Sequence, residues 1–83
     1  MTSLEELRTQ LSDVDDQITD LYEKRMKICE DLGTCKIKNG YKTFDRQREK
    51  NKIAEVMGKV SSDFNKKGIG EVYELLLAIS RKL

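Results

Sequence analysis

Arg25, Lys36, Glu49 and Ser80 are the residues whose types and spacing could do chemistry in this chain. All lie on or beside apolar helical stripes, where a polar group is costly unless something pairs with it. Arg25 stands between Leu21 and Ile28. A buried guanidinium there needs an anion from protein or ligand, or else it sets register in a coiled coil. Lys36 is eleven residues on, three turns plus about 20° at 3.6 residues per turn, so it points almost the same way as Arg25. Taken singly, it is an exposed lysine near a helix C-terminus, where a cation is favoured anyway. Glu49 precedes Ile53 by one turn, beside Arg48, and Asp45-x-x-Arg48-Glu49 gathers two acids and a cation. Capping plus a local ion pair accounts for that cluster when it is read alone. Ser80 follows Leu76 by one turn, and helical serines often bond their own backbone. Together the four residues occupy inner faces of three helices, an arrangement suited to a small dianion carrying a hydroxyl.

Composition removes most other chemistry. The chain has 83 residues, no His, no Pro, no Trp and two Cys. Imidazole bases, Ser-His or Cys-His nucleophiles and His-ligated metals are therefore excluded. Two cysteines cannot make a four-thiolate zinc site. Cys29 and Cys35, six apart on one helix, cannot form a disulfide without unfolding it, and Cys35 reads as seam packing. Sixteen Lys and Arg against fifteen Asp and Glu leave +1, so no whole-chain field draws in nucleic acid or membrane. Tyr22, Tyr41 and Tyr73 lack the spacing of a base-stacking platform. No metal or other cofactor is expected. With no apolar run of membrane-spanning length and no signal-like N-terminus, a cytoplasmic location with reduced thiols is expected.

The elements that must position these residues are helical. Ser3-x-x-Glu6 is a capping box. After it, Leu4, Leu7, Leu11, Val14, Ile18, Leu21, Arg25, Ile28, Leu32 and Cys35 alternate steps of three and four, a heptad seam ending at Lys38-Asn39-Gly40. Leu4 to Lys38 makes a helix of about 52 Å. Asp45 caps a second helix whose stripe is Glu49, Ile53, Val56, Met57, Val60 and Phe64, with a break at Asn65-Lys66-Lys67-Gly68. Gly68 and Gly70 mark a short connection. A third helix then runs to the end, with Ile69, Val72, Tyr73, Leu76, Leu77, Ile79, Ser80 and Leu83 inward. The expected fold is all-α, one domain over 1–83, with one long and two shorter helices. Two short helices cannot cover the whole seam, so an intertwined homodimeric bundle is expected. Arg8 lies about 100° around the first helix from Arg25 and about 25 Å along its axis. It is either a surface arginine or a site residue supplied by a second copy.

In LEELRTQLSDVDDQITDLYEKRMKICEDLGTCK, FDRQREK and VYELLLAISR the chain resembles the all-helical class of chorismate mutases over nearly its whole length. The resemblance is carried by an Arg, a second Arg seventeen residues on, a Lys eleven beyond it, then D-x-x-R-E. It implies a domain-swapped dimer of three-helix chains that rearranges chorismate to prephenate, in phenylalanine and tyrosine biosynthesis, without metal or cofactor. Carried over by position, Arg25 binds a substrate carboxylate, joined by Arg8 of the other chain. Lys36 contacts a carboxylate and the ether oxygen. Glu49 accepts the ring hydroxyl's hydrogen bond, assisted by the backbone at Asp45, and Arg48 and Ser80 complete the contacts around the ring carboxylate. One departure is visible: the family places Gln or Glu one turn after the serine matched by Ser80, at position 84, whereas the sequence runs to Leu83. Weakened turnover relative to a chain extended by Gln is expected from that, by about 10²–10³-fold. A non-catalytic helical dimer and an isochorismate-pyruvate lyase are the alternative functions for the same scaffold.

Overall fold

A computed structural model describes residues 3–40 and 45–83; Tyr41 and Phe44 lie outside the described residues. Its three helices are α1 (Leu4–Lys38), α2 (Arg46–Met57) and α3 (Asp63–Ser80), with no strand among the described residues. The Ser3 hydroxyl accepts from the Glu6 backbone N–H at 3.1 Å, taking one of the donors that a helix start leaves unpaired. Glu5 and Glu6 put negative charge at the positive end of the helix dipole, and Lys36 and Lys38 put positive charge at the other end. α1 stops at Asn39, whose backbone N–H and side-chain amide both donate to the Cys35 carbonyl, at 3.0 and 2.8 Å. Gly40 follows in the left-handed region, at φ 74°, a conformation a side chain would disfavour. α2 begins as its capping residue demands, with the Asp45 carboxylate accepting from the Arg48 N–H at 3.1 Å.

The second boundary differs from the sequence expectation. α2 ends at Met57, and the connection is 58–62 rather than the 65–70 stretch. Ser62 caps α3, its hydroxyl accepting from the Asn65 N–H at 3.0 Å, with Asp63 in the first turn. That local start signal outweighs the helix cost of Gly68 and Gly70, about 1 kcal/mol each. Phe64 therefore belongs to α3 and is 87% exposed, not part of an α2 stripe. Val72 and Leu83, expected to face inward, are exposed as well.

Gly70 earns its place by packing. It is buried, and a Cβ built there would stand 3.2 Å from Met57 Sδ. Nothing lies within 4 Å of a Cβ at Gly68. Gly68→Ala should therefore stabilise the fold by about 0.5–1 kcal/mol through helix propensity and a less flexible unfolded chain. Gly70→Val should destabilise it by about 1–3 kcal/mol by overpacking against Met57. Urea unfolding midpoints measure both, and the opposite order would show that this helix contact is misplaced.

α2 and α3 form a hairpin along their lengths, whereas α3 meets α1 over a short stretch only. The molecule measures 57 × 26 × 16 Å, its long dimension close to the length of α1. Val56 and Leu77 are the only buried apolar side chains among the described residues. Along α1, the eight apolar seam residues from Leu4 to Leu32 are 48–63% exposed, and Cys35 is exposed too. A chain this size buries little core of its own, and here the largest apolar surface faces outward. No described helix is long and apolar enough to cross a membrane.

Candidate functional site

The site begins at the one place where the α1 seam turns polar. Arg25 is half-buried, and its guanidinium carbon lies 5.6 Å from the centre of the Tyr73 ring on α3. Its Nη1 donates to the Cys29 thiol one turn on, at 3.5 Å. A ring face and a thiol steer the guanidinium without neutralising it. Among the described residues no carboxylate comes within 4.0 Å of Arg25. Lys36 is also half-buried, on the same side of α1 by helical phase and roughly 16 Å further along.

The hairpin brings the start of α2 to the end of α3. Glu49 Oε1 accepts from Arg81 Nη1 at 2.8 Å, a pair made across 32 positions of sequence. Its side chain is only 21% exposed. The local ion pair expected within Asp45-x-x-Arg48-Glu49 is not what Glu49 makes: its side chain pairs with Arg81 on the hairpin partner, while Arg48 is exposed. Asp45 is occupied as the α2 cap. The half-buried Ser80 hydroxyl donates to the Leu77 carbonyl at 2.9 Å, so contact with a ligand carboxylate would require its proton to swing away from its own helix. Arg8 is exposed near the other end of α1 and joins none of these groups within one chain. Glu55, six residues beyond Glu49, has its carboxyl held below the usual range by hydrogen bonds from Lys52 and Lys59, on an exposed surface.

Within a single chain, a shallow groove of about 380 Å³ runs along α1 past Tyr22, Glu23, Met26, Lys27 and Glu30 to Ile79 and Leu83. Its walls are α1 and the last turn of α3. Arg25, Glu49 and Ser80 are not among the residues that line it. Two contacts of this site escaped the sequence reading. Tyr73 was legible as an inward residue, but nothing in its spacing points to Arg25. Arg81 reads as an ordinary cation beyond Ser80, and only the hairpin places it on Glu49.

Residues 7–83 match the family described as chorismate mutase type II. The chain belongs to that family. Membership of the chorismate mutase family agrees with the all-helical, three-helix architecture and covers every residue discussed above from Arg25 to Arg81. No curated protein and no solved structure matches the chain.

Proposed function

We propose that the chain is a chorismate mutase, acting as a homodimer and rearranging chorismate to prephenate. The observation that carries this reading is the half-buried Arg25 guanidinium, oriented by Tyr73 and Cys29 and lacking a carboxylate partner among the described residues. Desolvating a cation without pairing it costs stability. The cost is intelligible if a ligand carboxylate completes the pair, and the family's substrate has two.

The chemistry suits the residues. A Claisen rearrangement is unimolecular: one C–O bond breaks and one C–C bond forms within the same molecule, with no nucleophile, metal or obligatory proton transfer. A site without His can perform it. What is required is capture of the compact reactive conformer, for which orientation supplies several kcal/mol, and fixed positive charge where the ether oxygen becomes negative. In this reading Arg25, with Arg8 of the second copy, clamps one carboxylate. Arg48 and Ser80 hold the ring carboxylate, and Lys36 serves a carboxylate and the ether oxygen. Glu49 receives the ring hydroxyl, with the backbone at Asp45 beside it. These cations are held by helices, so little reorganisation is needed as charge develops.

Dimerisation follows from the same physics. The exposed α1 seam offers on the order of 10 kcal/mol of apolar burial per chain once covered. In this reading a second copy covers the seam on either side of Arg25 and brings Arg8 across. The decisive assay is chorismate consumption with product identification. Prephenate is the expected product. No turnover of chorismate would overturn the reading, and faster pyruvate release from isochorismate would make the chain a lyase instead.

A further inference from the structure

The ion pair between Glu49 and Arg81 joins two residues with opposite claims on the site. If Glu49 receives the substrate's hydroxyl, it must stay a carboxylate with a free oxygen. A bare carboxylate beside a dianionic substrate would also repel it. Arg81 answers both requirements geometrically. Its Nη1 meets Oε1 at 2.8 Å, and among the described residues no hydrogen bond reaches Oε2, which leaves it as an acceptor. Charge-assisted contacts of this length orient the carboxylate as well as screening it. The flanking backbone supports that geometry. Arg81 is the C-cap of α3, its N–H donating to the Leu77 carbonyl at 3.1 Å, and Glu49 lies in the first turn of α2. Both ends of the pair are therefore set by helix termini rather than by loops.

From this we infer that Arg81 is a positioning residue: it fixes and neutralises Glu49, so that the site selects a dianion bearing a ring hydroxyl. The inference rests on the mutase reading given above. It concerns selectivity for the hydroxyl, not the carboxylate clamp at Arg25.

The experiment compares the parent, Arg81→Ala, Arg81→Lys and Glu49→Gln on chorismate and on an analogue whose ring hydroxyl is replaced by hydrogen. Binding of a bicyclic transition-state-like diacid, with and without the hydroxyl, is measured alongside by ligand-dependent melting. Arg81→Ala is expected to lower kcat/KM for chorismate by about ten- to a hundred-fold, the range of a hydrogen bond to a charged group. On the analogue lacking the hydroxyl its effect should be about threefold or less, and Arg81→Lys should recover most of the selectivity by restoring the charge. Adding Arg81→Ala to Glu49→Gln should cost little more, since the two act as a unit. Equal losses on both substrates, or full additivity of the two substitutions, would overturn the role assigned to Arg81. Loss of fold in Arg81→Ala, seen by circular dichroism, leaves Arg81→Lys and the diacid pair to decide. A parent that neither turns over chorismate nor binds either diacid overturns the mutase reading itself, and the role of Arg81 with it.

Discussion

Arg25→Ala is expected to reduce kcat/KM for chorismate by at least about 10²–10³-fold, the cost of deleting one preorganised charge partner of a transition state. Melting temperature should move little. Removing the side chain forfeits a cation–π contact with Tyr73 worth about 0.5–1 kcal/mol and a weak hydrogen bond to Cys29. It also removes a half-buried cation that no carboxylate of the described chain neutralises, and relief of that desolvation acts in the opposite direction. Function and stability should thus separate at this position, as they do where a site carries strain for its ligand. A guanidinium that merely set helix register would behave differently, because its loss would disturb stability or oligomeric state first. Steady-state kinetics with product analysis, together with thermal unfolding of the same samples, distinguishes the two. An unchanged rate with lowered stability would remove Arg25 from the site.

The second large effect concerns the α1 seam. Ile18→Glu should convert a two-chain particle into single chains that lose most of their helix. Ile18 stands near the middle of the exposed stripe and is 58% exposed in one chain, so in isolation a charge there is harmless. Between two seams it buries an unpaired carboxylate, which costs several kcal/mol and raises the dimer dissociation constant by about 10²–10³-fold or more. With Val56 and Leu77 as its only buried apolar side chains among the described residues, a lone chain has too small a core to stay folded. Sedimentation at micromolar concentration and circular dichroism read this directly. A parent sedimenting as one chain, or an Ile18→Glu variant that remains a dimer, would sink it. The proposed sharing of the site between two chains has a readout of its own. Mixing and refolding inactive Arg8→Ala and Arg25→Ala chains should restore about a quarter of parental activity, because half the dimers are mixed and each has one intact site. No recovery would mean that Arg8 does not act across the interface.

Much of the architecture is local physics and is readable residue by residue. Ser3, Asp45 and the Asn39-Gly40 pair announce helix ends through short-range hydrogen bonds and one left-handed glycine. The step of three and four along α1 needs only the pitch of a helix to become a stripe. The same arithmetic aligns Lys36 with Arg25 and separates Arg8 from it by about 25 Å. The spacing of Arg8, Arg25, Lys36, Asp45, Arg48 and Glu49 pointed to the chorismate mutase family, to which the match over 7–83 assigns the chain.

Tertiary structure decided what depends on contacts between distant residues. The α2–α3 connection is 58–62, where Ser62 caps α3, and Gly70 stays inside that helix packed against Met57; from sequence a packing glycine and a breaking glycine look alike. Glu49 pairs outside its own cluster, with Arg81, because the hairpin folds position 81 back onto position 49. Tyr73 became the ring beneath Arg25 for a related reason: α3 crosses α1 at that level. Residue type and helical phase by themselves determined α1 with both its ends, the start of α2 and the charges along them. Which charges meet was settled only by packing, since a pair spanning 32 residues leaves no periodic trace in the chain.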